Sequence, residues 1–358
     1  MSWIYIFLGF CLLIMLHEAG HFVAAKATGM RVEKFFLFFG PTIWSFKRGE
    51  TEYGVKAIPL GGYVRITGMN TEEEIPPEVE HRAYHRQKIW KRIVVIAAGP
   101  AVNIVLAFVI LYFVAFSYPE VTNTVGKVRP DSPAAAAQLR SGDRLVSVEG
   151  NDYSGKSTEG RIERFHDAIA SHKCAETPPT EGCKAATPVE LGVERNGTVK
   201  MLTVYPAYDK QAGAMLVGIE YERGTPVSSI GEATSFAWEK MWTVASGTFH
   251  VFSHIFESKE RKQIGGVVGI SSTGNEAIEV GPWAAFFLLG LVSLSLGLIN
   301  LLPFLPLDGG HIFWAIVEKV RGAPVSLRVM EGASFAGIAL VLMLFFVGLS
   351  NDIGRLSG

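Results

Sequence analysis

His17-Glu18-Ala19-Gly20-His21 sits inside an apolar run that covers residues 3–27. It reads H-E-x-x-H. On a helix, positions four apart share a face, so His17 and His21 offer two imidazole nitrogens to one metal ion. Glu18 projects to the adjoining side, where it can take a proton from an attacking water. Three ionisable side chains on consecutive turns of an apolar helix are costly in lipid. They mark a functional site facing a protein or water-filled interior. The run is long enough to cross a bilayer. At 1.5 Å rise per residue, His17 lies roughly 21 Å along it from Trp3, towards the C-terminal end. No basic stretch precedes the run and the polar group interrupts it, so it reads as a retained span and not a cleaved leader.

The rest of the chain is organised around this span. It has 358 residues, 49% of them hydrophobic, with a formal net charge of −1 and a mean hydropathy of +0.26. Those values average apolar spans with an ordinary soluble part. A balance so near neutral gives no case for nucleic acid, and the basic residues matter through their positions. Of three cysteines, Cys11 falls in the first span and reads as a packed thiol. Cys174 and Cys183 bracket a polar loop, CAETPPTEGC. In an oxidising compartment a local disulfide is expected there, and in a reducing one two free thiols.

Residues 30–68 contain Phe35–Phe39, Gly40-Pro41 and then YGVKAIPLGGYVRITG. Partial alternation with Pro59 and the Gly61-Gly62 pair predicts a short, bent β-hairpin. It is either a membrane-surface hairpin that only packs, or a sheet edge that aligns an extended substrate by strand addition. An acidic linker with Pro76-Pro77 follows, and His81 and His85 beyond it read as a surface pair. The second span is residues 93–116, with no charged residue but with Gly99-Pro100 and Asn103. Gly-Pro in a span allows a kink and a close helix approach; Asn103 can hydrogen-bond a neighbouring helix, with helix packing as the better reading of it.

Residues 121–208 are the soluble part. VGKVRPDSPAAAAQLRSGDRLVSVEGNDY predicts strand, short helix, Gly-Asp turn and strand; RIERFHDAIASH predicts a helix; PVELGVERNGTVKMLTVYP predicts a hairpin turning at Asn196-Gly197. The stretch VRPDSPAAAAQLRSGDRLVSVEG resembles a PDZ domain. Residues 232–258 carry aromatic residues at helical spacing together with Glu239, Lys240, His250 and His254, which favours an amphipathic surface helix over a further span. His250 and His254 lack an adjacent acid and are not read as a metal site. The glycine-rich IGGVVGI at 264–270 leads to a third span at 283–305, and a fourth covers 327–349. The expected fold is a polytopic α-helical membrane protein of about four transmembrane helices. It carries a membrane-associated β-hairpin and an inserted α+β PDZ-like domain. The membrane core is split between residues 1–117 and 264–358.

The third span ends in NLLPFLPLDGGH, and Asp308 is the sole acidic residue between Glu279 and Glu318. It is either an Asp-Gly turn residue or a third metal ligand. Topology discriminates. Basic residues follow the first span (Arg31, Lys34, Lys47, Arg48), precede the second (Arg82, Arg86, Lys88, Lys91, Arg92) and separate the third from the fourth (Lys319, Arg321, Arg328). The positive-inside rule puts these loops in the cytoplasm, with both termini and the PDZ-like domain outside. Spans one and three then run the same way, and His17, His21 and Asp308 fall at similar depth. Two histidines and one carboxylate leave a fourth position open, as a catalytic zinc requires.

With HEAGH, FFGP and IPLGGYV, AAGPAVN, one PDZ-like domain and NLLPFLPLDGGH in this order, the chain resembles the site-2 proteases, intramembrane zinc metalloproteases. It is most similar to the bacterial members typified by the regulator of sigma-E protease. The resemblance implies one Zn2+ per chain on His17, His21 and Asp308, with Glu18 as general base. It implies substrate contacts at Asn300 and at Gly61, Gly62 and Tyr63 in the hairpin. It also implies single-span membrane-protein substrates, such as anti-sigma factors or remnant signal peptides, in the bacterial cytoplasmic membrane. The chain departs from the sigma-E type in having room for a single PDZ-like domain and in the Cys174–Cys183 loop. A membrane-anchored PDZ adaptor with a vestigial metal site is the competing reading, against which the complete ligand set with Glu18 argues. A metal-dependent transporter is disfavoured by the lack of further charged residues in spans one to three.

Overall fold

The computed structural model describes residues 2–69, 73–119, 121–153, 158–174, 179–210, 212–254, 274, 277–278 and 280–357. The glycine-rich stretch at 264–270 and the end of the expected amphipathic helix at 255–258 lie outside the described residues. The chain divides into two compact units. One joins Met1–Phe116 to Ser228–Ser357, and the other is Ser117–Val227.

The first unit is helical with one sheet. Helix α1 (Ser2–Ala27) stops where Gly29 takes a left-handed conformation (φ 83°), which lets Met30 N–H donate back to the Ala25 carbonyl at 2.9 Å. Helix α2 (Ile89–Ala115) begins ahead of the expected 93 and takes Lys91 and Arg92 into its first turns. Lys91 Nζ donates to the Thr28 carbonyl at 2.9 Å, and Arg92 pairs with Glu318 at 2.9 Å, which gives both charges local partners. Among the described residues, four helices are long and apolar enough to cross a membrane: Ile4–Ala27, Ile89–Ala115, Pro282–Asn300 and Arg328–Ile353.

Strands β1 (Val32–Arg48) and β2 (Thr51–Ile66) are long, not the short hairpin expected. Gly40-Pro41 and the Pro59–Gly61 region bend the strands without ending them. Phe36 is matched with Tyr63 on one side and Gly54 on the other, while residues 42–48 face 51–56. The two strands therefore lie as four rows in the order 42–48, 51–56, 34–37 and 62–66, with 62–66 at an edge. The turn at the far row is clamped. Glu50 accepts from Arg82 Nη1 at 2.7 Å and Nη2 at 2.8 Å, and from Lys26 Nζ at 2.6 Å. Arg82 holds the Glu50 carboxylate far below the usual range, at about 2, with Lys26 assisting.

The second unit holds a six-stranded sheet. Its strands are β3 (Val121–Val128), β4 (Arg144–Val148), β5 (Asn151–Asp152), β6 (Val189–Arg195) and β7 (Thr198–Val204), and, after the small pair β8 (Ala207–Asp209) and β9 (Ala214–Leu216), β10 (Ile219–Arg223). The order is β10-β3-β4-β6-β7, with β5 on β4. Helix α3 (Pro133–Ala136) is capped by Ser132, whose Oγ accepts from Ala135 N–H, and helix α4 (Thr158–Ser171) buries Phe165 and Ile169 against Val125, Leu145 and Leu191. The hairpin turns at Asn196 (φ 52°) and Gly197 (φ 74°), as Asn-Gly demands. The unit runs to Val227, beyond the expected end at 208, because β10 pairs with β3. Cys174 and Cys183 lie in this unit with Cα atoms 5.8 Å apart and their sulfurs bonded.

Helix α5 (Ile230–Ser253) opens with a capping box between Ser229 and Glu232. Its first half buries Ala233, Phe236, Ala237 and Lys240 and packs on α2 and α6 (Pro282–Asn300), while Trp238, Trp242 and Phe249 stay exposed. Helix α6 ends at Asn300 instead of 305. Pro303 and Pro306 supply no amide hydrogen, and a residue before proline leaves the helical region. The chain then loops into α7 (Asp308–Arg321) and α8 (Leu327–Ser357). Helix α2 is the hub of this unit. It packs on α1, α5, α6 and α7, and glycines let it come close: a Cβ on Gly20 would sit 2.5 Å from the Ala98 carbonyl oxygen, and one on Gly297 would sit 3.0 Å from that of Pro100.

Candidate metal centre and active site

Helical periodicity places His17 and His21 on the α1 face that meets α2, both nearly buried at 7% and 8% exposure. Asp308 is the first residue of α7, where the helix dipole favours a carboxylate. It arrives there because the 301–307 loop folds back over the start of α7. A Cβ on Gly309 would lie 2.2 Å from the Leu301 carbonyl oxygen, and one on Gly310 would lie 2.5 Å from the Leu305 nitrogen. The two glycines after Asp308 are thus required by backbone contact.

The result is a tight triangle of ligand atoms. His17 Nε2 is 3.1 Å from Asp308 Oδ2, His21 Nε2 is 3.4 Å from the same oxygen, and the two Nε2 atoms are 3.3 Å apart. A tetrahedral zinc with bonds of 2.0–2.1 Å has ligands about 3.3 Å from one another, so the triangle has the dimensions of one face of such a site. His21 Nδ1–H donates to the Val95 carbonyl at 2.9 Å, which leaves its Nε2 lone pair directed at the triangle. Three electron-rich atoms brought this close, with little water, fit a cation. Among the described residues this is the one group of three metal-capable side chains whose ligand atoms all lie within 4.8 Å of one another.

A cavity of about 270 Å³ opens on the triangle, lined by His17, Glu18, His21, Gly62, Tyr63, Val64, Asn300 and Asp308 among others. Glu18 lies against the edge row of the sheet, and Val64 of that row lines the same cavity. Gly62 gives the acid room, since a Cβ there would approach Glu18 Cγ to 3.2 Å. Asn300 is the last residue of α6. Gly61 does not line the cavity; it makes the bend into the edge row with φ 82°. Phe36 and Phe39 stack on Tyr63 with centroids 5.8 Å away in each case, and Lys56 Nζ stands 4.8 Å above the Tyr63 ring. His81 and His85 stay in short turns away from the cavity. His250 and His254 face each other, with ring centroids 4.5 Å apart, near the end of α5.

Two neighbours of the site carried weaker signals in the sequence. A Cβ on Gly99 would lie 2.3 Å from His21 Nε2 and 2.9 Å from His17 Nε2. The Gly-Pro pair announced a close approach but not what approaches. Asn103 is fully buried, with its Nδ2 3.4 Å from His17 Nδ1 on the neighbouring helix. No spacing rule links an Asn in one span to a His in another.

The chain matches the model of Peptidase family M50 over residues 5–344. It is similar to the zinc metalloprotease Rip1 of Mycolicibacterium smegmatis, with 33% identity over 89% of this chain and 86% of that protein. It is also similar to the metalloprotease MmpA of Caulobacter vibrioides, with 29% identity over 96% of this chain and 92% of that protein. A solved PDZ domain of the SdrC-like protein of Listeria monocytogenes matches 28% of this chain and 88% of its own, with 22% identity and a TM-score of 0.21, too low to assign a fold. The family match over nearly the whole chain and the relatives around 30% identity agree with the four apolar helices and the His-His-Asp triangle: the chain belongs to peptidase family M50, the site-2 proteases, and is an intramembrane zinc metalloprotease.

Proposed function

We propose that one zinc ion per chain is held by His17, His21 and Asp308, and that Glu18 is the general base for hydrolysis of a peptide bond in or near a substrate's transmembrane segment. The observation that carries this reading is the triangle of ligand atoms 3.1–3.4 Å apart, with Glu18 lining the same cavity. When bound, zinc supplies Lewis-acid polarisation of the scissile carbonyl and of the attacking water. Glu18 takes the proton from that water and passes it to the leaving amine. Asn300, at the cavity wall, donates its amide N–H to the substrate backbone. A helical substrate buries its carbonyls in its own hydrogen bonds, so it must unwind before cleavage. The edge row at 62–66 offers an extended template with Tyr63 facing the cavity, and the substrate adds to it as a strand.

The second unit acts as a PDZ-like filter. Its sheet ends in the short edge strand β10, the kind of edge that accepts an extended chain. The positive-inside pattern supports an extracytoplasmic place for this unit and both termini in a bacterial cytoplasmic membrane, as does the bonded cysteine pair. Substrates are single-span proteins already trimmed outside the membrane, such as anti-sigma factors or remnant signal peptides.

The test is purification in detergent with zinc counted per chain, and cleavage of a single-span substrate by wild type and Glu18→Gln. One zinc in both, with cleavage reduced by a factor of about 10²–10⁴ in the variant, is expected. Equal cleavage by the two removes Glu18 from the reaction.

A further inference from the structure

The polar groups behind the histidines are not equivalent. His21 has a settled partner, the Val95 carbonyl, which fixes its proton on Nδ1 and leaves Nε2 free. His17 faces Asn103 instead. The Asn103 side chain is fully buried, and its Nδ2 lies 3.4 Å from His17 Nδ1. Its Oδ1 is buried and has no hydrogen-bond partner among the described residues. The backbone at this point is fixed, because Ser293 Oγ on α6 donates to the Asn103 carbonyl at 2.9 Å. The side-chain amide alone is left to move.

An amide can present either end to a ring nitrogen through a half-turn of its terminal torsion. With Nδ2 towards the ring, the amide donates, Nδ1 accepts, and the imidazole proton sits on Nε2, pointing into the triangle. That state closes the ligand position. With Oδ1 towards the ring, Nδ1–H donates to the amide oxygen. Nε2 then carries a free lone pair, and the buried oxygen gains the partner it lacks.

We propose that Asn103 is a positioning residue for the metal: zinc binding turns its amide so that Oδ1 accepts from His17 Nδ1–H, which sets the ligating tautomer and the ring's orientation. The inference rests on the reading of His17 as a ligand. It pairs the two histidines with two different acceptors, a fixed backbone carbonyl on α2 for His21 and a rotatable amide about two turns further along the same helix for His17. Outer partners of this kind change metal affinity by about 10–100-fold when removed.

The experiment measures the zinc affinity of the full chain in detergent by competition with a chelator, with zinc alone as the probe and without any substrate. Asn103→Leu keeps the branched shape and the number of side-chain heavy atoms and removes the acceptor. It is expected to weaken zinc binding by about 10–100-fold while helical content and elution volume stay as in wild type. Asn103→Asp keeps an acceptor at the same place and is expected to hold zinc at least as tightly as wild type. Ser293→Ala, which removes the neighbouring packing tie, is expected to leave zinc affinity unchanged. Zinc affinity of Asn103→Leu within twofold of wild type overturns the proposal. Equal weakening in the Leu, Asp and Ser293→Ala proteins also overturns it, because packing then accounts for the effect. If the Leu protein does not fold, Asn103→Asp decides alone: a tenfold loss there overturns the proposal. Failure of wild type itself to bind zinc sinks the metal reading and is distinct from all of these.

Discussion

Gly99 on α2 and His21 on α1 are so close that a Cβ on the glycine would lie 2.3 Å from the imidazole Nε2. The same carbon would lie 2.9 Å from His17 Nε2. The two helices therefore cross at the ligands, and the missing side chain is what leaves them space. Gly99→Ala favours the helix by about 1 kcal/mol in propensity, yet it pushes both imidazoles out of the triangle. The expected outcome is a folded, helical protein whose zinc affinity falls at least about tenfold. Gly247 on α5 has open space where its Cβ would be, so Gly247→Ala serves as the control and keeps its zinc. Metal analysis and circular dichroism on the two variants check this. Full zinc in Gly99→Ala removes the crowding argument.

This crossing also shows where the sequence stops being readable. His17 and His21 were legible because a helix turns 3.6 residues at a time and lipid penalises charge. Asp308 was legible through the direction of its span. The spans themselves were readable from composition, except where Pro303 and Pro306 ended α6 at Asn300. The hairpin's length was hidden, since Gly40-Pro41 and Pro59 look like strand ends and act as bends. Strand β10 was missed because its place in the sheet depends on β3, some ninety residues earlier in the chain. Gly99 and Asn103 acquire their roles only from the way α1, α2 and α6 pack.

Gly61 tests the sheet edge apart from the metal. Its φ of 82° is left-handed, and a Cβ there would lie 3.0 Å from the Phe39 ring. Gly61→Ala costs about 1–2 kcal/mol at this bend and displaces the row that begins at Gly62. Zinc content is expected to match wild type, because Gly61 does not line the cavity. Cleavage of a helical substrate is expected to drop by about tenfold or more, and a pre-unwound peptide should suffer less. Rates equal to wild type on both substrates would show that the row does not hold the substrate.

Glu50 makes the far end of the sheet sensitive to acid. Its carboxylate is held at about 2 by hydrogen bonds from Arg82, with Lys26 assisting, against an ordinary value of 4.5. A depressed folded-state value means that the contribution is complete above about 4.5 and is lost as pH falls from there towards 2. The group is partly exposed, so after screening the contribution near neutrality is about 1–2 kcal/mol. Glu50→Gln is expected to melt lower than wild type at pH 7, with the two melting curves converging as pH falls through that window. Parallel curves between pH 7 and 3 would show that the clamp contributes nothing through charge.

The cysteine pair gives a direct reading of topology. Cys174 and Cys183 are nine residues apart in sequence and bonded, while Cys11 is a buried free thiol in α1. Closing so short a loop stabilises the second unit by about 2–3 kcal/mol, so replacement of both by serine is expected to lower its resistance to proteolysis. If that unit faces outside, the bond persists in living cells. A membrane-impermeant maleimide carrying a polymer then adds nothing to this pair in intact cells until an impermeant reductant is supplied, after which two labels appear. Should labelling demand permeabilised cells even after reduction, the unit lies in the cytoplasm. The three basic loops would then be outside, and the matching depth of Asp308 would need another explanation.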